Sequence, residues 1–594
     1  MKAIKKALRR TVLLAGILTT ASAGAQQRNA QLNRLFDRYY QERSALFPLE
    51  ATSAGDHRYD DQLANEGAAP QLAATSAFYQ QYLNALKKFD RQQLTEADRI
   101  SYDILQHILQ TGQEAITLHL EYMPMNQFVS TPLELAQLGA GGGAQPFSTV
   151  RDYRNWAMRM RAFSPWADTA IANFNRGIKA GVVLPKALVL KMIPQLEALA
   201  VTDSARNIFY KPLSHIPAAF SAAEKQQIGA LYHEVISTGM IPAYGKLAAY
   251  LKNTYLPAAQ DQAGLHALPG GDSIYQYYIR VFTTTPGLTG ESVYRKGQEE
   301  VARITGEMET VKNELGFKGT LQEFFHHLRT NPKLMPFTSP EEVLAAYRRI
   351  YEKITPVLGK YFTHLPQTKF EIRRMPAYLE GATGGPYYVK GNAAENRPGI
   401  FYVPVPDARK INVTFHGMEA TFIHEGVPGH HFQISFQQEN QHIPAFRKQP
   451  AFSAYFEGWA LYTESLGQLL NCYTDPYQRM GRLNNEMLRA TRLVADAGIH
   501  TGKMTREEAI AYMIAHQSIT EAIATAEIER YMAMPGQALS YKTGEIKIRE
   551  LRDKYAAQLG SRFNLQHFHD ALLAYGDMPL DVLETYMDGW AGRQ

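Results

Sequence analysis

The chain has 594 residues, 45% hydrophobic and 20% charged, a balance that supports a large buried core and excludes an intrinsically disordered protein. Its formal charge is +5, but five positive and no negative residues fall in the first 25, so the remainder is neutral and no nucleic-acid partner is indicated. Cys472 is the single cysteine; with no internal disulfide to form, stability must rest on burial.

In chain order, Lys2, Lys5, Lys6, Arg9 and Arg10 precede the short apolar run "TVLLAGILTTASA", and Ala23 to Ala25 offer a small-residue cleavage site before Gln26. This pattern is that of a secretory signal peptide over residues 1–25. The apolar run is shorter than the ~20 residues that span a bilayer, so no membrane anchor is expected after cleavage. The expected location is exported, in the periplasm or the medium. Residues 26–594 read as one mostly helical domain, compatible with two lobes around a cleft.

Stretches such as "AQLNRLFDRYYQERSALF", "GESVYRKGQEEVARITGEMETVKNEL" and "SPEEVLAAYRRIYEKITPVLGKYF" space apolar residues at three and four, with good helix formers between them. Ser339, followed by Pro340, Glu341 and Glu342, marks a capped helix start. The glycine-rich "LGAGGGAQP" at 138–146 lacks the Lys and Ser or Thr of a phosphate cradle and reads as a surface loop. From Gly384 to Phe415 the residues turn to Tyr, Val, Ile and Phe between Gly, Asn and Pro, which predicts two or three short strands. Within them, "RPGIFYVPV" (Arg397 to Val405) is expected to form an exposed edge along which an extended peptide pairs.

The stretch "IHEGVPGHHF", Ile423 to Phe432, carries the chemistry. Zinc hydrolases commonly place two histidines four apart on one helix, with a Glu after the first. Here Pro428 stands at that position and the next histidines are His430 and His431. In a regular helix, six residues correspond to about 9 Å and 240°, so His430 reaches the metal only if Pro428 and Gly429 let two residues bulge out. His424 and His430 are then the two histidine ligands, with Glu425 as general base. His431, about 10.5 Å along the axis, is the alternative ligand. Downstream, "SAYFEGWALYTESLG" carries Glu457 and Glu464 on one helical face among Tyr455, Phe456 and Trp459. A carboxylate in such company needs a partner. Glu457 is the expected third ligand, and Glu464 the residue that orients a histidine ring.

These segments, with "RLVADAGIHTG", "YMAMPGQALSYKTGEIKIRELR" and "LFPLEATSAGDHRYDDQL", resemble the bacterial family called domain of unknown function 885 over most of the chain. The resemblance implies a gluzincin-like zinc metallopeptidase, mostly α, related in shape to thimet oligopeptidase, angiotensin-converting enzyme and the helical carboxypeptidases. The implied fold encloses a deep cleft, with a small β-sheet next to the active-site helix. It also implies one Zn2+ per chain and short peptides as substrate, and it singles out Tyr541 as an oxyanion donor. In "RLVADAGIH", Arg492, Asp496 and His500 recur at four-residue steps, so that Asp496 could orient His500 toward the same role. The expected activity is peptide hydrolysis by a metal-activated water with Glu425 taking the proton. The alternative is a peptide-binding protein of the same fold with little or no turnover. Cleavage preference and oligomeric state have no signature in the sequence.

Overall fold

The structure is a computed structural model that describes residues 28–141, 143–376, 380, 385–392, 396–414 and 417–594. The signal-peptide reading of residues 1–25 lies outside the described residues. Helices carry most of the chain, and the one sheet among the described residues has three strands, so the expected mostly α fold with a small sheet is what the structure shows. No described helix is long and apolar enough to cross a membrane.

Nine helices and the sheet position the site. They are α1 (Gly271–Thr283), α2 (Gly290–Glu314), α3 (Pro340–Ile354), β1 (Phe370–Arg374), β2 (Tyr387–Val389), β3 (Gly399–Val403), α4 (Met418–Glu425), α5 (His430–Glu439), α6 (Ser453–Glu464), α7 (Pro476–His500), α8 (Glu521–Ala533) and α9 (Ser540–Leu559). The caps follow from local chemistry. Ser339 accepts from the Glu342 amide at the start of α3, and Asp475 accepts from the Tyr477 amide beside Pro476 at the start of α7. Each side chain satisfies an amide that the first helical turn leaves without a partner.

Two large apolar clusters flank the site. One contains Trp156, Phe163, Tyr244 and Leu251, and the other contains Phe401, Phe422, Trp459, Tyr462 and Leu572. Helix α7 is buried along most of its length; it contributes Ala495 and Ile499 to the first cluster and packs along α2 through Met480, Leu483 and Met487.

The sheet runs in the order β1-β3-β2, with β1 parallel and β2 antiparallel to β3. Its apolar face rests on α4: Phe401 and Phe370 lie 5.7 and 5.9 Å from Phe422, ring to ring. Two expectations are corrected here. β3, which holds most of "RPGIFYVPV", is the central strand, with both edges already paired, so it has no free edge for a peptide. β1, "FEIRR", was not foreseen as a strand; its charged residues are half-buried to exposed and give no apolar alternation. The edge strand β2 meets the end of α4, where the Tyr388 amide donates to Glu425.

Candidate metal centre

Helix α4 does not bulge and continue; it stops. It ends at Glu425, four residues form a turn that contains a cis Val427–Pro428 peptide, and α5 begins at His430. The Gly429 amide reaches back to the Ile423 carbonyl at 3.0 Å, so the turn closes on the last turn of α4. Only glycine fits there: a Cβ on Gly429 would lie 1.9 Å from the His424 carbonyl oxygen. From the other side, the Trp459 indole N–H donates to the Pro428 carbonyl at 3.0 Å, which fastens the turn to α6. Helix α6 in turn meets α9 backbone to backbone, since a Cβ on Gly458 would lie 2.5 Å from Gly544 Cα. That contact sets Glu457 and Tyr541 into one cavity.

The turn brings His424 and His430 together with their ring centroids 4.8 Å apart and nearly perpendicular. Glu457 Oε2 lies 3.4 Å from Nε2 of each ring. That oxygen is buried and has no hydrogen-bond partner among the described residues. Around a tetrahedral ion with ligand distances of about 2.1 Å, donor atoms sit about 3.4 Å apart, so the spacing fits zinc better than it fits a hydrogen bond. On its far side, His424 Nδ1 lies 2.8 Å from Glu464 Oε1, the contact that fixes a ligating imidazole's tautomer and tilt. Burial lowers the His424 pKa, but Glu457 and Glu464 outweigh it and push the group up to about 9. Burial likewise opposes the Glu457 carboxylate, yet the two imidazoles hold it well below the usual carboxylate range. The site is therefore built to stabilise positive charge, which a divalent cation supplies.

His431, the alternative ligand, is not brought to this cluster. Its Nδ1 is 3.0 Å from the Tyr388 hydroxyl, and its ring packs 4.9 Å from Phe370 under the sheet. Burial pushes it down to about 4, although a hydrogen bond to the Thr368 backbone raises it, so it is a neutral structural imidazole. Within the two-histidine pair, the seven-residue spacing leads into the sheet and the six-residue spacing leads to the cavity.

Glu425 follows His424 and lines the same cavity, of about 460 Å3. Its Oε2 accepts from the backbone amide of Tyr388 at 3.0 Å, so β2 holds the carboxylate in place. Lys390, Arg489, Arg492 and Tyr541 line it as well. His500 does not join them and is corrected. Its Nδ1 accepts from the Leu265 amide at 3.2 Å and its Nε2 donates to the Tyr531 carbonyl at 3.1 Å. With both nitrogens occupied and burial pushing it down to about 4, it is a neutral packing residue outside the cavity. Asp496 does not orient it either; it accepts from the Tyr275 hydroxyl at 2.7 Å and from the Gly536 amide at 3.0 Å. Four-residue spacing gave these three residues a common face of α7, but their partners come from Leu265 ahead of α1, from α1, from α8 and from the turn before α9, which no local pattern reveals. Sequence reasoning missed Arg489 and Tyr388. Arg489 stands three residues before Arg492 on the same helix, and that pairing is a signal a reader could have used; Tyr388 has none.

A family model described as a bacterial protein of unknown function, DUF885, matches residues 48–587. The chain belongs to the DUF885 family. Among solved structures, a candidate lipoprotein from Colwellia psychrerythraea is similar at 26% identity and a TM-score of 0.85, over 95% of this chain and 99% of that one. A candidate lipoprotein of unknown function from Shewanella oneidensis has the same fold at 20% identity and a TM-score of 0.74, over 94% of this chain and 100% of that one. No curated protein matches the chain.

Proposed function

We propose that this DUF885 protein is an exported zinc-dependent metallopeptidase acting on short peptides. The observation that carries the reading is the Glu457 oxygen, 3.4 Å from each of two imidazole nitrogens and without a hydrogen bond of its own. His424, His430 and Glu457 would hold the ion. Zinc, when bound, supplies a Lewis acid that polarises a carbonyl and makes a water more acidic. Glu425, steadied by the Tyr388 amide, takes the proton of the attacking water and delivers it to the leaving amine. Tyr541 lines the cavity, and its hydroxyl meets the charge that develops on the carbonyl oxygen. Glu464 keeps His424 aimed. Export rests on the signal-like residues 1–25 and on the description of the two solved structures named above as candidate lipoproteins.

Metal analysis and a mixed peptide library test the reading. Protein purified without chelator should carry about one zinc per chain, and mass spectrometry should show peptide products that disappear when the metal is stripped and return with zinc. Absence of bound metal, or metal without any peptide turnover, would overturn it.

A further inference from the structure

The cavity that holds His424, His430 and Glu457 is also lined from α7 by a charge pattern that hydrolysis alone does not require. Arg492 is 4% exposed, and its Nη1 has no hydrogen-bond partner among the described residues. The rest of its guanidinium is used: Nε and Nη2 reach Glu527 at 3.2 and 2.8 Å, and Nε also reaches the Tyr531 hydroxyl at 3.1 Å. Arg489, one turn earlier on α7, has no carboxylate within ion-pair distance among the described residues; its Nη1 makes one long bond of 3.4 Å to the Asn485 carbonyl, and its Nε has no partner. Both guanidiniums lie against the Tyr541 ring, with carbons 4.6 and 5.7 Å from its centroid, which limits their freedom. Buried N–H groups without acceptors are destabilising, and clusters of them mark places where a ligand supplies the acceptor.

We infer that Arg489 and Arg492 form a subsite for the free C-terminal carboxylate of the peptide, so that the enzyme is a carboxypeptidase releasing one or two residues. The planar fork of arginine matches a carboxylate better than any neutral group. The size of the cavity sets how far the scissile bond can lie from that carboxylate. A cavity of about 460 Å3 is roughly 10 Å across if taken as a sphere, the length of about three extended residues. The same cavity holds His424, Glu425 and Glu457, so a carboxylate on the arginines puts the scissile bond within a residue or two of the C-terminus. The inference rests on the peptidase reading for what happens next, but the subsite is testable without turnover.

The test uses full-length Glu425→Gln protein and calorimetric titration with three N-acylated tripeptides. One is a free acid, one is its C-terminal amide, and one is an amide whose last residue is glutamate. The free acid should bind at least ~10-fold tighter than its amide, the weight of a hydrogen-bonded charge. Arg489→Gln should bring the two within ~3-fold, and Arg489→Lys should recover part of the gap. Equal binding of acid and amide overturns the subsite. A glutamate-ending amide that matches the free acid also overturns it, because a side-chain carboxylate would then be what the arginines read. The wild-type enzyme with zinc, given the same peptides, separates the two readings. Cleavage of acid and amide alike keeps the peptidase and rejects the subsite, whereas preferential binding of the acid with no cleavage of any peptide keeps the subsite and rejects the peptidase.

Discussion

Glu457 faces two imidazoles through a single oxygen, and the metal-site reading turns on which side chains share that arrangement. Replacing His424, His430 or Glu457 by Ala should abolish stoichiometric zinc, whereas His431→Ala should retain it, because His431 is engaged by Tyr388 and Thr368. Metal analysis of the four purified variants checks this; zinc lost from His431→Ala and kept by His430→Ala would reverse the assignment. Glu464→Gln leaves the ligands intact and removes the carboxylate that orients His424, so zinc affinity in a chelator competition should fall ~10- to 100-fold. Glu425→Gln should keep zinc and melting temperature and lose at least ~10²-fold in turnover, since only the proton carrier is removed. If turnover persists, proton transfer belongs elsewhere.

At the scale of elements, the site depends on a helix that ends where its motif would have it continue. Pro428 and Gly429 in the sequence announce a break between His424 and His430, and the convergence of the two imidazoles was legible from that. The kind of break was not legible, because whether the helix bulges or stops depends on Trp459 gripping the turn from 31 residues away. The sheet was read less well for the same reason. A strand's apolar content shows that it pairs, but its place at centre or edge is decided by what joins it, here β1 from upstream. The strand that matters for chemistry is β2, whose Tyr388 amide donates to Glu425 and not to the sheet. Proline at an outward-facing edge position is compatible with the strand and deletes that amide. Tyr388→Pro should therefore lower turnover well below Tyr388→Phe, which removes the hydroxyl bonded to His431 and keeps the amide. Steady-state rates alongside zinc content decide it; equal rates in the two variants would mean that β2 does not hold the base.

Across the whole molecule, the long helices α2, α7 and α9 are joined by charge as well as by apolar packing. Lys542 on α9 is fully buried, with Glu486 of α7 at 2.7 Å, Glu545 of its own helix at 2.9 Å and Glu300 of α2 at 3.1 Å. Arg303, Arg482 and Arg549 close the network around the same carboxylates. Burial raises the Glu486 pKa, but Lys542, Arg482 and Arg303 outweigh it and hold the carboxyl well below its usual range. The sign of the linkage follows: a depressed carboxyl contributes stability that is fully present above its unfolded value near 4.5 and is lost as pH falls toward its folded value. Lys542→Met leaves three carboxylates without their shared cation, a change that costs about 3–5 kcal/mol in comparable buried pairs. For a chain of this size that is roughly a 3 °C fall in melting temperature at pH 7. The gap from wild type should narrow as pH is lowered toward 4, because the variant's carboxylates, left with the arginines but without Lys542, then take up protons and repel one another less. Thermal melts of both proteins between pH 4 and 8 check this. A gap that stays constant across that range would mean that Lys542 acts through the packing of its aliphatic stem and not through its charge.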